Sequence, residues 1–271
     1  MVDSALQAPL PPAPGTPHAH GPHLRLHGTP YALSLLARLG HPDCHQPEVG
    51  RLATRLFEIL FRQVVDEELG TTVARVPTRM TAAHPEHAYE GVVVPRDQKV
   101  VVVDVARAGI LGAQIFYDRF NELLEPAGVR QDHMFVSRTT GANGEVTGAA
   151  VAGAKIGGTV DGAVLVIPDP MGATGGSLVE VLDHYARIGA GTPLRAVFVH
   201  LIVTPEYVKR VHAAHPDVRI HAVRLDRGFS SPEALGLPPG TLPDQERGLD
   251  SHQYIVPGAG GLGEVLNNSW V

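Results

Sequence analysis

Residues 164–182, VLVIPDPMGATGGSLVEVL, place an acid, two hydroxyl residues and adjacent glycines between two apolar runs. The first run ends in Asp169, and Thr-Gly-Gly-Ser at 174–177 precedes the second run. The first turn of a helix has unpaired N–H groups that favour an anion, and glycines let the backbone approach a phosphate without intervening side chains. A carboxylate one short loop away can accept hydrogen bonds from two sugar hydroxyls. The segment therefore indicates a sugar-phosphate site.

Two glycine-rich segments admit other interpretations. Asp169 and Thr174 could simply cap a strand-to-helix turn. A Walker A loop does not fit residues 169–177, since no Gly-Lys-Ser/Thr follows and the loop has no basic residue. Residues 258–263, GAGGLG, satisfy the dinucleotide-binding pattern, but too few residues follow them for a helix and a second strand. A sugar-phosphate site is the leading hypothesis for 169–177, with the capped turn as its alternative.

Strand-like and helix-like segments alternate along most of the chain. Thr29, Pro30 and Gly40 mark the start and the end of a first predicted helix. Four consecutive valines at 100–103 are typical of a parallel strand that is covered on both faces. Predicted strands lie within 99–109, 133–138, 163–169, 194–203 and 218–226, and predicted helices within 29–40, 46–70, 110–128, 175–190 and 204–216. This alternation predicts an α/β fold with a parallel sheet, and it leaves the Gly- and Ala-rich residues 139–162 as a long loop.

Composition and charge exclude several classes of protein. The net charge of −6, from 28 acidic against 22 basic residues, argues against a nucleic-acid partner. No apolar run reaches the roughly 20 residues of a membrane helix, and the N-terminus lacks the features of a signal peptide. The single cysteine, Cys44, excludes an intramolecular disulfide, fits a reducing compartment and is expected to be an inert thiol. We therefore expect a cytoplasmic protein with no membrane and no nucleic-acid partner.

The first 26 residues are rich in Pro, Ala and His. Such a composition cannot support a packed core, so residues 1–26 are predicted to be a disordered arm. His18, His20 and His23 could bind a metal ion, although a solvated tail is the simpler interpretation. Residues 27–271 are predicted to form a single domain.

The segment IPDPMGATGGS resembles the phosphoribosyl-pyrophosphate (PRPP) motif of the uracil phosphoribosyltransferases. In that family Asp-Pro-Met replaces the double acid of most type I phosphoribosyltransferases. The resemblance continues in ARAG at 106–109, in residues 201–226 and in RGLDSHQYIVPGAGGLG near the C-terminus, and it extends over nearly everything from about His27 onward. It implies a phosphoribosyltransferase-type parallel sheet flanked by helices, with an N-terminal helical arm and a small C-terminal hood that binds the base.

The resemblance also implies a reaction and the residues that carry it. Uracil displaces pyrophosphate from C1 of PRPP and gives UMP, and Mg²⁺ is bound together with PRPP. Asp169 is expected to bind the ribose hydroxyls, and Arg107 and Arg138 the pyrophosphate, although Arg138 could be an ordinary surface arginine. The 5′-phosphate loop would comprise Ala173, Thr174, Gly175, Gly176 and Ser177, and the base site Met171, Ala173, Tyr254, Ile255, Gly260 and Gly261. The YIVPG segment within the base site is alternatively a strand that ends in a turn. The habit of the family predicts a homodimer or a higher homo-oligomer.

Three departures from the family pattern concern the base half of the site and its surroundings. Gly261 stands where an aspartate is usual, and Leu262 replaces a small alanine. The loop after Arg138 lacks the family's acidic run, and residues 229–246 look inserted. These departures keep two alternatives open: a different pyrimidine-like base and a non-catalytic PRPP or nucleotide sensor. Because one phosphoribosyltransferase relative binds RNA, an RNA-binding regulator is a third alternative, which the acidic net charge disfavours.

Overall fold

The structure, a computed structural model, describes residues 3–9, 11, 15–140 and 146–269, with the side chains of 138–140 and 146–147 outside the described part. The α-helices are α1 Pro30–Leu39, α2 Glu48–Glu68, α3 Ile110–Leu123, α4 Gly176–Arg187, α5 Pro205–Ala214, α6 Pro232–Leu235 and α7 Leu262–Asn267. The strands are β1 Leu24–Leu26, β2 Thr72–Val76, β3 Tyr89–Val93, β4 Val100–Ala106, β5 Val129–Thr140, β6 Val146–Lys155, β7 Val164–Pro168, β8 Met171–Gly172, β9 Arg195–Val203 and β10 Arg219–Leu225. None of the helices in the described ranges has the length and apolar character needed to cross a membrane.

The central sheet has the strand order β1-β10-β9-β7-β4-β5-β6, and the short β8 pairs with β9. Its strand pairs are parallel, except that β5 and β6 are antiparallel. Strands β2 and β3 form a separate antiparallel pair. The predicted α/β fold with a mainly parallel sheet and flanking helices is therefore confirmed.

Helices cover both faces of the sheet, as the valine run in β4 predicts. Val100 and Val102 belong to a buried cluster with residues of α1, α2 and α3. Val101 and Val103 belong to a second buried cluster, with residues of α4 and α5. Successive side chains of a strand point to opposite faces, so a strand that is buried on both faces requires apolar residues at consecutive positions.

Threonine caps begin two helices at the predicted residues. Thr29 Oγ1 accepts a hydrogen bond from the Ala32 N–H at 3.3 Å, and Pro30 is the first residue of α1. Thr204 Oγ1 accepts a hydrogen bond from the Tyr207 N–H at 3.0 Å at the start of α5. Both caps satisfy N–H groups that a helix leaves without an internal partner.

Two segments predicted to lack regular structure contain strands. Residues 24–26 form β1 at the edge of the sheet, where Leu24 and Leu26 are buried. The prediction of a disordered arm is wrong there, because two alternating leucines inside a Pro- and His-rich segment suffice to bury one face of an edge strand. Residues 146–155 form β6, so the predicted loop over 139–162 is wrong in that part. Strand pairing uses backbone groups, which a Gly- and Ala-rich sequence still offers, and residues 141–145 lie outside the described part.

Residues 229–246, which look inserted in the sequence, pack around one buried carboxylate. The side chain of Glu246 is fully buried and accepts a hydrogen bond from Arg227 Nη1 at 2.8 Å. The Gly240 N–H donates to the same carboxylate at 2.8 Å. The Ala19 N–H donates to the Pro239 carbonyl at 2.6 Å. The segment therefore docks against the residues that precede β1.

Candidate active site

A cleft of about 190 Å³ lies where β7 and β8 end and α4 begins. Parallel α/β sheets bind their ligands beyond the carboxyl ends of the strands. The cleft is lined by the residues predicted for the ribose, for the 5′-phosphate and for one face of the base: Asp169, Met171, Ala173, Thr174, Gly175, Gly176 and Ser177. The structure thus brings these predicted site residues into one place.

The backbone of residues 173–177, the predicted 5′-phosphate loop, requires glycine at its turn into α4. Gly175 has a φ of +79°, in the left-handed region that other residues rarely adopt. A Cβ at Gly175 would also lie 3.2 Å from Val211 of α5. Helix α4 then begins at Gly176 without a side-chain cap. Its first N–H groups are left for a ligand, and the helix dipole makes an anion the favoured one.

Helix α5 supports this loop from behind. Thr204 Oγ1 donates a hydrogen bond to the Ala173 carbonyl at 2.6 Å. The buried ring of Tyr207 lies against Gly172, where an added Cβ would come within 3.1 Å of the ring. Two side chains three residues apart lie on one face of a helix, so a single face of α5 contacts the loop at both points. The position of the loop therefore depends on α5 as well as on its own sequence.

Arg210 is a cation of the site that the sequence analysis missed. It lies one turn after Tyr207 on the same face of α5, and it lines the cleft. A Cβ at Gly176 would lie 3.4 Å from Arg210 Nη1, so the guanidinium reaches the first residue of α4. A guanidinium is well suited to bind phosphate. The sequence feature that could have revealed Arg210 is the three-residue spacing of Thr204, Tyr207 and Arg210. This spacing becomes informative only when α5 is known to face residues 173–177.

Asp169 is a carboxyl group that titrates close to neutral pH. Burial raises its pKa to about 6, the Met171 N–H opposes this rise, and the charge of Asp104 adds to it. The Met171 N–H donates to Asp169 Oδ1 at 3.1 Å. Asp104 Oδ2 lies 3.0 Å from His133 Nδ1, while the buried Oδ1 of Asp104 has no hydrogen-bond partner among the described residues. Asp169 is therefore ionised above a pH of about 6 and available as an acceptor.

A buried pair of side chains fixes the backbone of Asp169. His200 Nδ1 lies 2.6 Å from the Asp169 carbonyl oxygen, and His200 Nε2 lies 2.6 Å from the hydroxyl of Tyr207. Burial lowers the pKa of His200 to about 4, so its ring is neutral at physiological pH. A carbonyl oxygen only accepts, which places the ring proton on Nδ1 and makes Nε2 the acceptor from the tyrosine. The chain of hydrogen bonds thus runs from α5 to the residue that carries the carboxylate.

Of the two arginines predicted to bind pyrophosphate, Arg107 is not among the described residues that line this cleft. Arg107, directly after β4, is exposed, and its Nη1 donates to Ser269 Oγ at 2.6 Å. Arg138 lies in β5, but its side chain is outside the described part of the chain. The roles of both arginines remain predictions.

The predicted base residues of the C-terminal segment also do not line the cleft, which Gln253 reaches instead. Tyr254 is 51% exposed, whereas Ile255 is buried. Gly260 is exposed and Gly261 is half-buried. The Tyr254 N–H donates to Asp250 Oδ1 at 2.8 Å, within a turn that places Gln253 on the cleft side.

The space beside Gly261 is taken by a carboxylate. An added Cβ at Gly261 would collide with Oε2 of Glu264, three residues further along the chain. Leu262 is buried in the core with α1, α2 and α3. The leucine is therefore a packing residue, and the carboxylate of Glu264 lies beside Gly261, where the family pattern has an acid.

A mainly parallel sheet with an anion-binding helix start at its strand ends defines a class of α/β proteins that bind phosphorylated ligands. A family model described as Uracil phosphoribosyltransferase matches residues 26–240. That match covers well over half of the chain, and the chain belongs to the uracil phosphoribosyltransferase family.

Individual relatives carry the same name. A uracil phosphoribosyltransferase of Ligilactobacillus salivarius is 32% identical over 230 residues, which are 83% of this chain and 88% of the relative. One of Thermococcus kodakarensis is 26% identical over 245 residues, 87% of this chain and 86% of the relative. The match to one of Streptococcus uberis, 31% identical, spans 62% of this chain and 65% of the relative.

A solved structure supports the fold. Protein AQ2163 of Aquifex aeolicus superimposes with a TM-score of 0.65 at 19% identity, over 90% of this chain and 97% of the other. At that identity the likeness shows the fold alone.

Proposed function

We propose that the chain transfers the phosphoribosyl group of PRPP to uracil and releases UMP and pyrophosphate. The observation that carries this proposal is the grouping of Asp169 and residues 173–177 around one cleft in a chain of this family. In the reaction the bond from C1 of the ribose to pyrophosphate breaks, and the bond from C1 to N1 of uracil forms. The proton on N1 is lost from the base.

The 5′-phosphate binds at the start of α4 in this proposal. The N–H groups of residues 175–177 and the hydroxyls of Thr174 and Ser177 donate hydrogen bonds to its oxygens. Arg210 adds a positive charge from α5, at the same end of α4. Charge-assisted hydrogen bonds from a guanidinium to phosphate are about twice as strong as neutral ones. The phosphate therefore anchors the substrate and fixes where C1 lies.

The ribose lies between this anchor and Asp169. Its two hydroxyls donate to the carboxylate, which is ionised above a pH of about 6. The hydrogen bonds from Tyr207 through His200 hold the backbone of Asp169 in place. As pyrophosphate departs, positive charge develops on the sugar ring, and a fixed carboxylate close to the ring stabilises that charge.

Magnesium enters as part of the substrate, Mg-PRPP, where it offsets the charge of the leaving pyrophosphate. Arg107 and Arg138 are the candidate side chains for the pyrophosphate oxygens. Arg107 is exposed, and its hydrogen bond to Ser269 can be exchanged for bonds to a phosphate.

Uracil is proposed to stack against Met171 and Ala173. The backbone of Tyr254, Ile255 and Gly260 would then meet the imide edge of the base as the C-terminal segment closes on it. Glu264 supplies the carboxylate that Gly261 lacks, which favours the family's base over an altered one.

We also propose a cytoplasmic homodimer or larger homo-oligomer, in keeping with the family resemblance and the single cysteine.

The test is pyrophosphate release from Mg-PRPP by the purified chain against a panel of bases, with the products identified by mass. The proposal expects UMP with uracil and little product with cytosine or the purines. Turnover with another base, and silence with uracil, would contradict it. Asp169→Asn is the matched control, and it should abolish the release that depends on uracil.

A further inference from the structure

Two imidazoles and a carboxylate converge at the β1 edge of the sheet, apart from the cleft at the ends of β7 and β8. The residues are His27, which follows β1, His221 in β10 and Glu67 near the end of α2. One ligand atom from each residue, an imidazole nitrogen or a carboxylate oxygen, lies within 4.8 Å of the other two. No residue of the proposed PRPP site belongs to this cluster.

The cluster is built into the fold. His27 and His221 are 5% and 0% exposed, and the Glu67 side chain is 5% exposed. The only ion pair that the structure describes for Glu67 joins it to Arg25, whose Nε lies 3.0 Å away and whose side chain is half exposed. Burying a carboxylate is costly unless it is paired or coordinates a metal ion. Arg25 pairs with one oxygen of this carboxylate, and a positive ion at the cluster would be its second partner.

A second carboxylate orients one of the imidazoles. His221 Nε2 lies 2.9 Å from Glu68 Oε1, so the ring donates from Nε2 and presents Nδ1 to the cluster. Arg195 Nη1 donates to Glu68 Oε2 at 2.8 Å and keeps that carboxylate in place. Histidines that bind metals almost always donate their other N–H to such a carboxylate.

We propose that His27, His221 and Glu67 bind a divalent transition-metal ion such as Zn²⁺. Two imidazole nitrogens and one carboxylate oxygen are a common ligand set for zinc, and water would complete a tetrahedral site. In the ion-free protein His27 Nε2 and His221 Nδ1 lie 2.9 Å apart and share a proton, which the ion replaces. Nitrogens bound to a tetrahedral zinc lie roughly 3.3 Å apart, so a small opening of the pair accommodates the ion. A cavity of about 270 Å³ that His27 and Glu67 line gives access from solvent.

The ion would fasten the N-terminal arm to the body of the protein. His27 directly follows β1, whereas Glu67 and His221 belong to α2 and to the neighbouring strand. The site does not depend on the proposed transferase activity, since it lies apart from the residues that bind PRPP.

The test is a titration of the full-length, chelator-treated protein with Co²⁺ and Zn²⁺, followed by visible absorption and by calorimetry. The expected result is one stoichiometric site with the visible bands of tetrahedral cobalt. Glu67→Gln and His27→Gln should abolish that site, and Glu68→Gln should weaken binding by about 10–100-fold. The chain has 15 histidines, so a variant with His18→Gln and His20→Gln serves as the control and should keep the site.

A thiolate variant keeps the proposal testable if a glutamine variant fails to fold. His27→Cys should add a thiolate-to-cobalt charge-transfer band in the near ultraviolet, and the buried Cys44 of the unmodified chain should give none. Absence of stoichiometric binding, or binding that survives both Glu67→Gln and His27→Gln, would overturn the proposal. The cluster would then be a buried hydrogen-bond network only.

Discussion

The carboxylate of Glu264 occupies the space into which a side chain at Gly261 would project. The family pattern places an aspartate at the position of Gly261. A carboxylate from the first turn of α7 therefore lies beside this position. The proposed function assigns to Glu264 the part that the family's aspartate takes near the ribose.

If Glu264 takes the part of the family's aspartate, as proposed, Glu264→Gln should lower kcat for UMP formation by about 100-fold, because it removes a negative charge that faces the sugar. Gly261→Asp alone should not raise activity, since the new carboxylate would meet that of Glu264. The double variant Gly261→Asp/Glu264→Gln should recover part of the loss, and Glu233→Gln in α6 is the control. Full activity in Glu264→Gln would show that this carboxylate has no part in the reaction.

Arg210→Gln should raise the KM for PRPP by roughly 10–100-fold, the equivalent of one lost charge-assisted hydrogen bond. Because the contact is to the 5′-phosphate, which does not react, kcat should change much less. Lys209→Gln is the matched control on the same helix, since Lys209 is exposed and lies 3.7 Å from Asp244. Equal KM values in Arg210→Gln and the unmodified chain would remove Arg210 from the phosphate site.

The pH dependence of kcat/KM should show an acidic limb with an apparent pKa close to the value of about 6 for Asp169. Activity should fall as the pH drops through this value, because the protonated carboxyl no longer accepts both ribose hydroxyls. The charge of Asp104 raises this pKa, so Asp104→Asn should move the limb to lower pH. The exposed Asp97→Asn should leave the limb unchanged, and an unmoved limb in Asp104→Asn would contradict the coupling of the two carboxyls.

Tyr207→Phe should lower the free energy of unfolding by about 1–3 kcal/mol, because the neutral His200 ring loses its donor while it stays buried. The phenyl ring still fills the space against Gly172, so the loop should keep its shape. Tyr31→Phe is the control, since Tyr31 is 60% exposed. Chemical denaturation measures both variants, and an unchanged stability would mean that water reaches His200.

The arm that precedes β1 should loosen in acid. Burial is the largest cause of the lowered pKa values of His18, His20 and His212. At His20 burial outweighs the charge of Glu246, which raises the pKa, and the charge of Arg227 lowers the pKa further. Groups whose pKa is lower in the folded state stabilise it above their ordinary value of 6.5, and that stability is lost as the pH falls below 6.5.

The protection factors of the amides in residues 15–23, which correct for the slower intrinsic exchange in acid, should therefore fall between pH 7 and pH 5 more than those in β7. His20→Gln should weaken this response, whereas His84→Gln in the exposed segment between β2 and β3 should not. An equal fall of the protection factors in the arm and in β7 would point to general loosening of the fold instead.

Local signals in the sequence predicted the helices and the parallel strands well. Thr29 and Pro30 mark the start of α1, and the valines of β4 alternate between two cores. The apolar run that ends in Asp169 likewise predicted that Asp169 and the glycine-rich residues 174–177 lie at the end of one strand. Each of these features depends on residues that are neighbours in the chain.

Most features that the sequence did not predict depend on contacts between segments that are distant in the chain. Arg210 of α5 reaches the start of α4 although β9 separates the two helices in the chain. Glu264 lies only three residues from Gly261, but the spacing alone does not show that its carboxylate turns back to Gly261. Strands β1 and β6 lie at the two edges of the sheet, and β2 and β3 form a separate pair. All four were missed because such strands need few apolar residues and can pair through the backbone alone. Composition therefore misled in the segments where it differs most from that of a core.

Chemistry on bound PRPP is the most direct test of the central claim, that the cleft between Asp169 and α4 binds PRPP for transfer to uracil. Mg-PRPP is first mixed with an excess of the protein, uracil is then added, and the products of a single turnover are identified. The account predicts that the bound PRPP is converted to UMP, and that Asp169→Asn gives no UMP. Recovery of intact PRPP from the unmodified protein after uracil is added would contradict it and would favour a sensor that binds PRPP without turnover.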